Sequence, residues 1–186
     1  MAEMSQQEIQ DALFSLSAKK SSDELPETLN LSAGTDPQTI KDIQDLKDKG
    51  LIVWDFNMKS QLWMTPVSNP AGMIKCIAYY GNAVNGYYCV GYALGCINKE
   101  ATAVEINFIE KRRDASVDLC SKFLPVIVDA VSTYALYLNS IEAAKISKFV
   151  LVGPVPGVRQ YYQEQGFEYI EGYLGSHAMV KYLVKF

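Results

Sequence analysis

Between Ala103 and Gly153 the sequence changes its hydrophobic period twice, and that order restricts the fold more than any single residue does. Ala103–Ile109 is rich in β-formers. Beyond it Leu119, Phe123, Val126, Ile127, Ala130, Val131 and Leu136 recur at helical spacing, out to about Leu138. Lys148–Gly153 then carries Phe149-Val150-Leu151-Val152, a run of the fully buried type. A strand, a long helix and a strand in one sheet require a right-handed crossover, so the two strands must be parallel. Pro125 lies inside the helical stripe and predicts either a kink or a late helix start.

The flanks read as antiparallel hairpins. Met73–Tyr80 and Tyr87–Ile97 are strand-like and joined by Gly81–Gly86, which contains the turn pair Asn85-Gly86. Val155–Glu164 is a short helix opened by Pro154 and Pro156, and Phe167–Leu174 and Ala178–Val184 are two closing strands. Upstream, residues 1–20 form an amphipathic helix that Ser5 can cap, with Ile9, Leu13, Phe14 and Leu16 near one face. A polar segment, Lys19–Pro26, leads to a short strand at Glu27–Leu31. Asp36 and Pro37 start a helix bearing Ile40, Ile43 and Leu46, which Gly50 ends. In Leu51–Pro70 the triplets Ile52-Val53-Trp54 and Leu62-Trp63-Met64 are strand-like, and both tryptophans are expected to cover core. The expected division is an N-terminal arm with the first strand over 1–35 and one domain over 36–186.

At 186 residues, 49% hydrophobic and 20% charged, the chain has the composition of a globular domain. A net charge of −4 offers no basic field for nucleic acid or an anionic membrane, so neither is expected as a partner. The first twenty residues carry Glu3, Glu8 and Asp11 and no apolar run, which gives a cytoplasmic expectation. Cys76, Cys89, Cys96 and Cys120 show no Cys-x-x-Cys spacing and read as buried thiols. His177 is the only histidine, so no metal site and no Ser-His or Cys-His nucleophile is expected.

Tyr162-Gln163-Glu164-Gln165-Gly166-Phe167, placed after one strand and before two others, resembles the tyrosine-x-x-x-glycine-phenylalanine signature of the GNAT acyltransferase family. The resemblance covers residues 72–186 best. It implies an α/β (α+β) fold: a mixed, mostly antiparallel twisted sheet flanked by helices, here with an extra N-terminal helical arm. It also implies that Tyr162 protonates the departing CoA thiolate, a role a phenol within hydrogen-bond reach can fill. Tyr162 packing against the sheet is the equal alternative. In proteins of this family a glycine-rich turn before the long helix offers backbone N–H groups to the acetyl-CoA pyrophosphate. The matching segment is Lys111-Arg112-Arg113-Asp114-Ala115-Ser116, whose three cations suit an anion but whose glycines are absent. Asp114 stands in place of the first, and Asp114 and Ser116 are each good N-caps for the long helix. The apolar Val155 replaces an asparagine usual early in the short helix. The strand at Ile106–Phe108 is implied to hydrogen-bond the pantetheine arm. For deprotonating an amine, Glu105 and Glu110 are the carboxyls near that strand; Glu105 is either a buried base or an exposed, inert edge residue.

Two function classes follow. One is an acetyl-CoA-dependent N-acyltransferase for a primary amine. The other is an inactive GNAT-fold structural or interaction component of a larger assembly, such as a phage particle, with protein partners or further copies of the chain holding the arm and a virion address.

Overall fold

The computed structural model describes residues 4–34 and 36–183. Seven strands form one sheet in the order β1-β2-β3-β4-β5-β7-β6. They are β1 (Thr28–Ser32), β2 (Met73–Asn82), β3 (Gly86–Ile97), β4 (Ala103–Lys111), β5 (Lys148–Val152), β6 (Glu168–Tyr173) and β7 (Ser176–Tyr182). The helices are α1 (Gln6–Ser22), α2 (Pro37–Asp48), α3 (Phe56–Lys59), α4 (Phe123–Ser140) and α5 (Arg159–Glu164). Only β4 and β5 pair in parallel, as the strand–helix–strand order demands. Val184, the expected end of the last strand, lies outside the described residues.

Alternation along the strands gives the sheet two apolar faces. On one, Ile74, Val104, Ile106 and Phe149 pack with Phe14 of α1 and Ile127 and Val131 of α4. On the other, Ile77, Tyr92 and Leu94 pack with Ile43 and Leu46 of α2 and Phe56 of α3.

The expected boundary at residue 35 does not separate two units. Phe14 is fully buried in the core that Leu29, Ile127 and Phe149 share. Ser17 donates to Asp129 of α4 at 2.7 Å, and the Ala33 N–H donates to Asp11 at 2.5 Å. Ser22 bonds both the N–H (2.9 Å) and the carbonyl (3.2 Å) of Leu29, so the end of α1 occupies the outer edge of β1 at that residue. The arm is held by its own chain. Its apolar stripe is narrower than expected, because Leu16 faces solvent.

Three other expectations are corrected. Neither 52–54 nor 62–64 forms a strand; bends, α3 and turns fill the region, and Trp54 and Trp63 are exposed. Asp114 does not cap the long helix. Ser116 caps a 3₁₀ turn at Val117–Leu119 instead, and α4 starts at Phe123 with no side-chain cap at Lys122. Pro125 thereby falls on the third helical residue, where its missing N–H leaves no intrahelical bond unmade. Cys76, Cys89 and Cys96 are buried free thiols as expected, but Cys120 is exposed. At the signature, Gly166 adopts a left-handed φ of +85° and Phe167 is buried, as a glycine terminator followed by a core residue should be.

The local feature that shapes the sheet is a bulge between β3 and β4. Leu94 opposes Phe108 and Gly95 opposes Ile106, so Asn107 has no partner on β3. A Cβ on Gly95 would stand 1.9 Å from the Glu105 carbonyl oxygen, so only glycine permits this approach.

Two stability measurements follow. Phe14→Ala should cost about 3–5 kcal/mol in urea unfolding, the range for truncating a fully buried phenylalanine; an appended arm would give almost no change. Gly95→Ala should cost about 1–3 kcal/mol through overpacking against β4, with loss of amide-exchange protection concentrated at residues 105–108.

Candidate functional site

Pairing between β4 and β5 runs from Ala103↔Lys148 to Ile106↔Leu151 and stops there. The stop coincides with the bulge residue. β4 continues to Lys111, whereas β5 ends at Val152 and the chain turns away through Gly153 at φ +58°. Beyond Ile106 the β5-facing edge of β4 therefore lacks a strand partner. The strands part around a cleft of about 530 Å³ lined by Asn107, Phe108, Val152, Pro154, Trp54 and Tyr162, among others. Asn107 Oδ1 is buried with no hydrogen-bond partner, an acceptor that a donor in this cleft would satisfy. A smaller hollow of about 220 Å³ continues the cleft towards the start of α4. It adds Lys111, Leu119, Ser121 and Phe123 and shares Ile109, Val158 and Tyr162 with the first.

Tyr162 thus lies in the wall of both hollows. Its ring contacts Phe167 (6.2 Å between centroids) and Tyr161 (5.8 Å). Among the described residues its hydroxyl has no hydrogen-bond partner. Burial, and secondarily Tyr161, pushes the phenol's pKa up, which keeps its proton in place. Tyr161 donates to the Ser121 carbonyl at 3.2 Å, tying α5 to the entrance of α4.

The segment 111–116 divides sharply. Lys111 lines the smaller hollow. Arg112 is engaged elsewhere: it makes two bonds to Asp114 (2.5 and 2.9 Å), one to the Cys89 carbonyl (3.2 Å), and stacks over Tyr88. Asp114 raises the Arg112 pKa, and Arg112 in turn holds the Asp114 carboxyl below its ordinary range. Arg113 is exposed and donates its backbone N–H to Leu51. Ala115 packs on the core, and Ser116 bonds Asp118. Of these six residues, Lys111 alone lines either hollow. The helix start that meets the hollow is Ser121–Leu124, where the Phe123 and Leu124 N–H groups have no intrahelical acceptor. Sequence reading missed this because Asp114 and Ser116 are stronger cap residues than Lys122; Pro125 was the signal for it.

Glu105 is 1% exposed, which removes the reading of an exposed edge residue. Its carboxyl accepts from Ser68 Oγ at 2.5 Å and from Tyr173 Oη at 2.7 Å, with Cys96 Sγ at 3.7 Å. Burial and the bond to Glu105 push the Tyr173 pKa up. Glu110 lines the cleft and anchors the neighbouring loop, accepting from the N–H groups of Val53 (2.8 Å) and Trp54 (3.0 Å) and from Tyr92 (2.6 Å). Asn107 and Trp54 line the cleft and Ser68 and Tyr173 hold Glu105, roles for which sequence did not single them out. Of these, only Asn107 lies on a strand already suspected.

Among the described residues no cluster of three His, Cys, Asp or Glu side chains could hold a metal ion. His177 bonds the Pro154 carbonyl at 2.8 Å. Among the described residues no helix is long and apolar enough to cross a membrane.

No protein family model matches the sequence, and no curated protein does. Solved structures do match the fold. An acetyltransferase from Thermus thermophilus is 16% identical, with 84% of this chain and 97% of that chain covered at a TM-score of 0.52. A domain from Methanocaldococcus jannaschii is 15% identical, with 84% and 99% covered at 0.51. With the strand order 1-2-3-4-5-7-6 and the parting of β4 from β5, these likenesses give the conclusion that the chain has the GNAT acyltransferase fold.

Proposed function

We propose that the chain is an acyl-CoA-dependent N-acyltransferase for a primary amine. The observation that carries this reading is the cleft opened by the unpaired edge of β4, with a protonated phenol, Tyr162, in its wall. The residues present suit an acyl-CoA. The free β4 edge from Asn107 onward and the orphaned Asn107 carbonyl oxygen match the amides of a pantetheine arm. Ile106 and Phe108 flank that position. Lys111 and the N–H groups of Phe123 and Leu124 suit the pyrophosphate. Arg112, Arg113, Asp114, Ala115 and Ser116 are not part of the proposed grip, because none of them lines the cleft. Acetyl-CoA would supply the acyl group as an activated thioester.

The remaining roles belong to the protein. Tyr162 gives its proton to the thiolate as the C–S bond breaks. The amine enters from the α2/α3 side, where Val53 and Trp54, just before α3, form part of the cleft wall. Glu105 is sealed from solvent, and neither it nor its partners Ser68 and Tyr173 lines the cleft, so the amine's proton leaves to water. Glu105 is thus a positioning residue, holding Ser68 and Tyr173 against the strand that forms the cleft wall.

One observation favours the second reading, a non-catalytic interaction module: the α4 start carries Ser, Lys, Phe and Leu where glycines would bare the backbone. Calorimetry separates the two. The enzyme reading expects saturable acetyl-CoA binding, and no heat at millimolar ligand would sink it in favour of the module. Lys111→Glu should raise the acetyl-CoA Kd about tenfold, equivalent to about 1.4 kcal/mol, while Asp114→Ala should leave it within about twofold because that carboxylate is already neutralised by Arg112 outside the cleft.

Kinetics test the acid. With a panel of primary amines and release of free CoA thiol as the readout, Tyr162→Phe should lower kcat by about 10²-fold or more, with little change in acetyl-CoA affinity. An unchanged kcat would assign the ring to packing alone.

A further inference from the structure

Lys59 ends α3 with its ammonium 4.7 Å from the Phe108 ring centroid and 5.2 Å from that of Trp54. The two rings pack together at 5.2 Å, and both line the cleft. Phe108 follows the bulge residue directly, so the amine stands against two residues of the cleft wall beside the point where β4 leaves β5, on the α2/α3 face from which an acceptor would enter. Among the described residues no carboxylate lies within ion-pair distance of it. Its placement is anchored from several sides. Asp55 caps α3 through the Met58 N–H (2.9 Å), Phe56 packs on Tyr92, and Asn57 bonds the Ile40 carbonyl of α2 at 3.0 Å. Glu110 fixes the Trp54 backbone from β4 itself. A lysine amine held at the mouth of an acyl-transfer cleft is an acceptor at high effective concentration.

We propose that Lys59 is a self-acylation site, the chain's own primary amine accepting the acyl group of a bound acyl-CoA thioester. This rests on the acyl-CoA reading above. The ammonium first releases a proton to water at the rim. The amine lone pair then forms a C–N bond to the thioester carbonyl carbon, the C–S bond breaks, the thiolate takes the proton of Tyr162, and the nitrogen's surplus proton passes through water to the tyrosinate. The product is an uncharged amide on Lys59 and free CoA thiol. The modification ends the cation–π contact with Trp54 and Phe108 and so changes the acceptor face of the cleft.

The experiment incubates the full chain with acetyl-CoA and follows each lysine by peptide mass spectrometry, with tryptophan fluorescence recorded in parallel. Lys59 should gain one acetyl group at least about tenfold faster than Lys20, whose side chain is 78% exposed and reports uncatalysed acetylation. Fluorescence should change with the same time course. Lys59→Arg keeps a cation over the rings without a nucleophilic amine; it should abolish both signals while binding acetyl-CoA normally by calorimetry. Tyr162→Phe should slow Lys59 labelling about 10²-fold or more, down to the Lys20 rate at most. Normal acetyl-CoA binding with Lys59 labelled no faster than Lys20 overturns self-acylation and leaves the acyltransferase reading standing. Absence of acetyl-CoA binding overturns both.

Discussion

The candidate site exists because β4 carries one residue more than β3 can pair with. Gly95 lets the strands approach until a Cβ there would overlap the Glu105 carbonyl, and Asn107 is extruded as the unpaired residue. A bulge bends its strand and disrupts the ladder locally; pairing with β3 resumes at Phe108, whereas pairing with β5 goes no further than Ile106↔Leu151. Beyond it β4 stays with β3 and parts from β5, which ends at Val152. Everything proposed to act on a ligand is arranged around that gap: a free strand edge above Ile106, a phenol on the returning helix α5, and the start of α4 at its far end.

Charge is distributed to match. The three cations at 111–113 look equivalent in sequence, but Arg112 spends its guanidinium on Asp114 and the Cys89 carbonyl, and Arg113 faces solvent. The Arg112–Asp114 pair is half in water, with Asp114 54% exposed, so it contributes little to stability. Its effect is to cancel a carboxylate that would otherwise repel a phosphate near the cleft, leaving Lys111 as the cation that lines the hollow.

The fold was legible because its information is periodic and local. The switch from period two to 3.6 and back placed β4, α4 and β5, and Gly166-Phe167 marked the end of α5. What escaped reading depends on distant partners. Ile52-Val53-Trp54 has strand composition, yet the Val53 and Trp54 N–H groups are taken by Glu110, 57 and 56 residues away, and the segment bends instead of pairing. The environment of Glu105 comes from Ser68 and Tyr173, at separations of 37 and 68 residues. Trp54 reads as core by composition; in the fold it stands half-exposed over Phe108 in the cleft wall, because Glu110 holds its backbone there.

The missing glycines at the entrance of α4 are a matter of backbone conformation before they are one of side chains. Ser121 adopts φ +63°, the left-handed region that glycine enters freely and that costs other residues roughly 1–2 kcal/mol. Such a conformation persists only where the surroundings impose it. Here Tyr161 holds the Ser121 carbonyl from one side, and the buried Leu119 and Phe123 fix the chain before and after. The entrance therefore keeps a glycine-like path without a glycine. The Phe123 and Leu124 N–H groups have no intrahelical acceptor, and both residues line the hollow, so their side chains rather than bare backbone bound the space in front of them.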